Sequence, residues 1–256
     1  MNQKNNVSNV SSSVKDILFI HGITSYGKAH LQIAKHLTKL GYRFHYFDLP
    51  GHGNKKWEWN DHKFKFTDML NFIDDYIKIN LKDKPFIIMG HSMGGGIALS
   101  TYPKYINQIK AVILECPLTP AIFNRSEEDG EFKIGDLFKN FARAKAIILK
   151  GWTKFKVGVC KWLGKDRCFA PLLTNIIKSD ALNIISDGIK NIKVPTLLIV
   201  GSQDKVIPPI ATSKYLSKYI KNITVQTAVS AGHNPFKDTP EQYQEFIIDF
   251  LKKVNR

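Results

Sequence analysis

The stretch Gly90-His91-Ser92-Met93-Gly94 constrains this chain more than any other. Before it stands Pro85-Phe86-Ile87-Ile88-Met89, a short apolar run of strand type. After it come Gly95-Gly96-Ile97-Ala98-Leu99, small and apolar residues suited to a buried helix. Strand, Gly-x-Ser-x-Gly, helix is the context in which such a serine works as a nucleophile. The turn must be so tight that the serine backbone is strained, and glycine at both flanks removes side chains that would clash there. The hydroxyl is then pushed out above the sheet, with the positive N-terminal end of the next helix beneath it.

The rest of the chain alternates strand and helix around that point. Asp16-Ile17-Leu18-Phe19-Ile20 reads as a buried strand, followed by the loop His21-Gly22-Ile23-Thr24 and Ser25-Tyr26-Gly27. From 28 to 40, Leu31, Ile33, Ala34, Leu37 and Leu40 recur at helical spacing, and Gly41 suits the C-terminal cap. A strand is predicted over 42–48, ending in the tight loop Asp48-Leu49-Pro50-Gly51-His52-Gly53. Trp57, Trp59 and His62 fall in a polar loop. A helix follows over 66–79, with Met69, Leu70, Ile73, Tyr76 and Ile77 on one side. The helix from Ser92 runs to about Tyr102. Ala111-Val112-Ile113-Leu114 mark the next buried strand.

The pattern resumes with Val194-Pro195-Thr196-Leu197-Leu198-Ile199-Val200, a strand leading into Gly201-Ser202-Gln203-Asp204. Pro208 and Pro209 open a helix through Tyr219. Asn222 to Thr227 is a short strand, Ala231-Gly232-His233-Asn234-Pro235-Phe236 a loop, and 241–254 the closing helix. Alternation of this kind predicts an α/β core of strands flanked by helices.

Between Cys116-Pro117 and about Asp180 no strand is evident. The stretch is helical in pattern, aromatic and basic: between Phe138 and Lys165 there are eight Lys or Arg and no carboxylate. We read it as a helical cap inserted into the core. The expected organisation is a disordered lead-in over 1–13, a core formed by 14–116 and 181–256, and a cap over 117–180. Phe138, Phe141, Trp152 and Phe155 are the candidate substrate-binding residues of that cap, and its Lys-rich face suits peripheral contact with an anionic membrane surface. The plainer reading is a lid whose apolar residues pack on the core and whose lysines are solvated.

Composition narrows the class. The chain has 256 residues, 43% of them hydrophobic, enough for one sizeable core. No apolar run reaches the length of a membrane span, and 1–13 is polar, without the apolar centre of a signal peptide, so a cytoplasmic setting is expected. The three cysteines, Cys116, Cys160 and Cys168, have no paired metal spacing and read as reduced thiols. No metal site is expected. The formal net charge of +15 favours anionic partners such as phospholipid headgroups or phosphate-bearing substrates. It also fits simple lysine-rich coding. No nucleic-acid-binding motif accompanies it, and nucleic acid is not expected as a partner.

A serine hydroxyl is a poor nucleophile at neutral pH and needs a base within hydrogen-bond reach, most often histidine. The imidazole needs a carboxylate on its other nitrogen to fix tautomer and orientation. Asp204, just beyond a core strand, and His233, in a glycine-flanked loop, are the candidates for those roles. An Asx-turn aspartate and a loop histidine bonded to backbone are the structural alternatives. His30, His36, His45, His62 and His91 lie in predicted helices or strands or lack loop context. His52 has a weaker setting than His233, His21 reads as a brace for its loop, and His91 reads as packing beside the turn.

The order Ser92, Asp204, His233, together with His21-Gly22, Asp48 to Gly53, Gly90 to Gly95 and Gly232-His233, resembles the α/β-hydrolase superfamily. Within it the chain is similar to capped serine hydrolases of the monoacylglycerol lipase and lysophospholipase type. The likeness runs from about residue 15 to the end, the cap excepted. It implies an eight-stranded, mostly parallel sheet, a covalent acyl-enzyme and no cofactor. It also implies an oxyanion hole, for which the N–H groups of Ile23 and Met93 are the candidates. Ser92 in place of aspartate argues against dehalogenase and epoxide hydrolase chemistry, whereas the triad alone does not separate cofactor-free haloperoxidases. The expected activity is that of a serine carboxylic-ester hydrolase on monoacylglycerol, lysophospholipid or related small-molecule acyl esters. An acyl-CoA-type thioesterase, or a binding protein that kept the fold and lost catalysis, are the alternatives.

Overall fold

In a computed structural model, the chain is described at residues 14–23, 25–54, 65–123, 172, 175–176 and 180–255. Six strands form one sheet: β1 (Asp16–Ile20), β2 (Arg43–His45), β3 (Phe86–His91), β4 (Ile109–Glu115), β5 (Thr196–Gly201) and β6 (Ile223–Ala228). Their spatial order is β2-β1-β3-β4-β5-β6, and every neighbouring pair is parallel. The eight strands implied by the resemblance are therefore six among the described residues, and the sheet is parallel there rather than mostly so. Parallel neighbours require a crossover, and helices supply it. They are α1 (Leu31–Lys39), α2 (Phe66–Tyr76), α3 (Met93–Thr101), α4 (Ala181–Asn191), α5 (Pro209–Tyr219), the single turn α6 (Pro235–Asp238) and α7 (Pro240–Val254).

Strands covered on both faces read as continuous apolar runs, and β1, β3 and β5 are buried at every residue. Their period of two divides the core. Leu18, Ile20, Ile88, Val112, Leu114, Leu198 and Val200 point into one cluster with α2, α3, α4 and α5. Ile17, Phe19, Ile87, Met89, Ile113, Leu197 and Ile199 point into the other, with α1 and α7. Leu172 and Ile176 also pack into the first cluster. Among the described residues no helix is long and apolar enough to cross a membrane.

Two expected elements differ from those observed, and one observed helix, α4, has no counterpart in the sequence reading. The strand predicted over 42–48 is paired only at Arg43–His45, because Phe47 and Asp48 leave the sheet to hold the loop after β1. The Asp48 carboxylate accepts the N–H groups of Gly27 and Asn54, both at 2.8 Å, and a Cβ at Gly27 would sit 2.4 Å from the Phe47 carbonyl oxygen. The helix predicted over 66–79 ends as an α-helix at Tyr76 and continues as a π-turn, Ile77–Leu81. Finally, α4 begins directly after the stretch read as cap. Its buried Ala181, Ile185, Gly188 and Ile189 lie on one helical face.

The sheet order sets the position of the site. From β1 the chain goes outward to β2, then returns past β1 to β3 and continues the other way. The gap between the ends of β1 and β3 is where ligands bind in open α/β sheets. The loop His21–Ile23 and the turn at Ser92 flank that gap.

Candidate active site

Ser92 stands between β3 and α3 with φ 54° and ψ −119°, a region that side chains normally avoid. Hydrogen bonds on both sides of the residue hold it there. Its N–H donates to the Glu115 carbonyl at 2.9 Å, and its own carbonyl accepts from Gly95, Gly96 and Leu118 at 3.0, 3.3 and 2.8 Å. The flanking glycines are required by contact. A Cβ at Gly90 would lie 2.3 Å from the Gly94 carbonyl oxygen, and one at Gly94 would lie 2.1 Å from that of Ile20. The loop after β1 abuts the nucleophile, since a Cβ on Gly22 would be 3.0 Å from Ser92 Cβ. Ile23 and Met93 thus stand on the two segments that flank Ser92.

Asp204 follows β5 and is buried, 4% exposed. Its Oδ1 accepts the N–H groups of Val206 and Ile207 at 2.8 and 3.0 Å, and its Oδ2 accepts from His233 Nδ1 at 2.7 Å. Burial opposes its charge, but His233 and the two N–H donors outweigh burial and hold the carboxyl below its ordinary range. An ionised Asp204 makes Nδ1 the protonated nitrogen of a neutral His233. Nε2 is then free to accept, and the Ser92 hydroxyl donates to it at 2.9 Å. The two loops are tied together near these residues: Ser202 N–H donates to Ala228 and Gln203 N–H to Ala231. Gly201 is so close to the histidine loop that a Cβ there would lie 2.0 Å from the Gly232 carbonyl oxygen.

Four other histidines, His21, His30, His52 and His91, surround this frame. His21 is buried, its Nδ1–H donating to the Gly22 carbonyl at 2.8 Å and its Nε2 accepting Leu49 N–H at 2.9 Å, so one ring pins the β1 loop to the β2 loop. His52 donates from Nδ1 to Pro50 and packs its ring against His21. His91 does more than pack, because its Nε2–H donates to the His233 carbonyl at 2.9 Å. Sequence reasoning missed His30 and Glu115, which form a fully buried pair at 2.7 Å. A charged residue at the end of an otherwise apolar strand was the available signal.

Burial, helped by neighbouring His52, pushes His21 down to about 3. Burial likewise pushes His91 down to about 4, against the pull of Glu115. Both rings are neutral when folded and take up protons near 6.5 when unfolded. Their contribution to stability is therefore complete above that value and is lost as the pH falls from 6.5 toward 4. Each group costs about 1.4 kcal/mol per pH unit across that window. We expect thermal melts to show a fall in Tm already between pH 6.5 and 5, before most carboxylates titrate. A flat Tm over that range would mean that these rings are not buried as neutral species.

Cys116 lies behind the pair, and Cys116, Asp204 and His233 place one ligand atom each within 4.8 Å of one another. The three are engaged with each other rather than open to a cation. Asp204 and His233 share a hydrogen bond, and burial, reinforced by the nearby carboxylates, keeps Cys116 protonated. The structure thus brings Ser92, Asp204 and His233 together and sets Ile23 and Met93 beside them. Phe138, Phe141, Trp152, Phe155, Cys160 and Cys168 lie outside the described residues.

This sheet, with a strained serine at its switch point and an acid and a histidine on later loops, is the architecture of an α/β hydrolase. The chain belongs to the alpha/beta hydrolase fold family, whose model matches residues 16–151. A Mycoplasma pneumoniae protein that carries an esterase/lipase name is 27% identical over 258 residues, covering 94% of this chain and 90% of that protein. The human monoacylglycerol lipase ABHD6 is 24% identical, covering 93% of this chain and 76% of its own. Among solved structures, the monoacylglycerol lipase of Paleococcus ferrophilus superposes with a TM-score of 0.68 at 22% identity, covering 93% of this chain and 94% of that one, a likeness of fold.

Proposed function

We propose that the protein is a serine carboxylic-ester hydrolase acting on monoacylglycerol, lysophospholipid or related acyl esters. The observation that carries this reading is the continuous hydrogen-bonded chain from Ser92 Oγ through His233 to Asp204. As the serine attacks the ester carbonyl, its proton passes to His233 Nε2, and Asp204 stabilises the imidazolium that forms. The N–H groups of Ile23 and Met93 receive the oxyanion. Collapse of the tetrahedral species transfers that proton to the departing alcohol. Water, activated by the same histidine, then hydrolyses the acyl-enzyme. Bond making and breaking need only water as co-reactant, so no cofactor is assigned.

The esterase/lipase and monoacylglycerol lipase names of the relatives support the substrate class. We assign the acyl-chain pocket to the inserted cap, with Phe138, Phe141, Trp152 and Phe155 lining it. The cap's basic face suits anionic headgroups. A cytoplasmic setting accords with the unpaired Cys116.

The test combines a fluorophosphonate with a series of aryl esters carrying two to sixteen acyl carbons. The expected result is labelling at Ser92 and hydrolysis with an optimum among the longer chains. A short-chain optimum would remove the pocket from the cap, and failure to label Ser92 would overturn the serine mechanism.

A further inference from the structure

Beneath the candidate triad, on the α1/α7 side of the sheet, lies a second polar cluster. Strand register pairs His91 with Glu115 across β3 and β4, and their parity places both toward that face. Glu115 is fully buried. Its Oε2 accepts from His30 Nε2 at 2.7 Å and from the Tyr243 hydroxyl at 3.1 Å. The rings of His30 and His91 are 5.8 Å apart, and those of His91 and His233 are 5.0 Å apart. A buried polar path therefore runs from Glu115, past His30 and His91, to the backbone and ring of His233.

Three buried side-chain atoms in this cluster have no hydrogen-bond partner among the described residues: Glu115 Oε1, His30 Nδ1 and His91 Nδ1. A half-satisfied buried ionic group costs more than an apolar replacement of similar volume. We propose that Glu115 is a positioning residue of the hydrolytic site, a second buried carboxylate that acts on the His233 imidazole from below, across His91. This rests on the reading of His233 as the general base.

The electrostatics agree with the geometry. Burial opposes the charge of Glu115, but the His30 ring and the hydrogen bonds from His30 and Tyr243 outweigh it and keep the carboxyl below its ordinary value. His233 faces Asp204 on the β5 loop, Glu115 on β4 and Asp238 on α6. Burial opposes its protonation, and those three carboxylates outweigh burial and raise it above 6.5. The other titratable groups packed around Glu115 are His30 before α1, His91 on β3 and Tyr243 on α7. Cys116 adjoins Glu115 in sequence and faces Asp204. Removing the Glu115 charge must therefore lower the pH at which His233 takes a proton.

The test is Glu115→Gln, which keeps the shape and removes the charge. Two readouts are followed: the acid limb of kcat/KM and the His233 titration midpoint by nitrogen-edited NMR. Both are expected to move to lower pH by about 0.5–1 unit, and Glu115→Asp is expected to restore the wild-type position. A purely structural role would lower kcat and Tm without moving either midpoint, and unmoved midpoints in folded Glu115→Gln would overturn the proposal. If that variant does not fold, the triple variant Glu115→Met, His30→Leu, Tyr243→Phe replaces the whole set by apolar groups and is expected to show the same displacement. An unmoved midpoint there overturns the proposal equally. The NMR midpoint does not depend on turnover. A shift without ester hydrolysis would count against the proposed function alone, and hydrolysis with an unmoved midpoint against this inference alone.

Discussion

Replacing Ser92 by alanine is expected to lower kcat for the best aryl ester by about 10⁴- to 10⁶-fold, while the protein stays folded. The loss is large because no neighbouring group can substitute for Oγ as the attacking atom. The proposed oxyanion donors, the N–H groups of Ile23 and Met93, survive the change and are expected to leave a residual rate above that of water. The fold is expected to tolerate the change. Ser92 is held in its unusual backbone conformation by hydrogen bonds from its main chain to Glu115, Gly95, Gly96 and Leu118, and alanine keeps all of them. Tm is therefore expected to shift by no more than about 1 kcal/mol would cause. Adding His233→Ala to Ser92→Ala should lower the rate little further, because the residues act as one unit. Comparable turnover by a folded Ser92→Ala protein would remove the serine from the reaction.

The second large effect is on the frame. Gly94→Ala is expected to destabilise the protein by about 3–5 kcal/mol. For a chain of this size that lowers Tm by roughly 10 °C. The new methyl group would lie 2.1 Å from the Ile20 carbonyl oxygen and 2.6 Å from that of His21. Both are backbone atoms that cannot rotate away, so α3 and the end of β1 must separate. That same separation moves Ile23 away from Met93, and whatever folded protein remains is expected to lose activity. Gly41→Ala is the contrasting variant. Gly41 has a φ of 86°, but among the described residues beyond its chain neighbours the only atom within 4 Å of an added Cβ is Lys15 Nζ, the far end of a flexible side chain, at 3.9 Å. Its cost is expected to be about 1 kcal/mol, from backbone conformation alone. Calorimetry on the two variants decides the matter, and equal melting temperatures would mean that the β1–α3 contact is not close.

How far the chain is legible before folding varies along its length. The strands β1, β3, β4 and β5 are readable because a strand buried on both faces carries an apolar run through its centre. The serine turn is readable because only glycine fits against Ile20 and within the turn itself. Asp204 and His233 are readable because each follows a strand that ends at the same edge of the sheet. β2 is overestimated, since its aromatic alternation continues past the point where Asp48 turns to bind Gly27 and Asn54. α4 is overlooked because it follows the inserted stretch without a turn signal, although its buried residues lie at helical spacing.

The pattern of residues near one another in the chain determined the element types, the serine turn and the order of the three candidate catalytic residues. These depend on local sterics and on which side chains water excludes. The tertiary structure alone decided that His30 would meet Glu115 from 85 positions away and that His91 would reach the His233 carbonyl across 142. Such pairings depend on which strands become neighbours and which face each residue turns to. A histidine in a helical stretch looks the same in sequence whether it ends in water or on a buried carboxylate. The difference arises only when folding brings the residues before α1 against the end of β4.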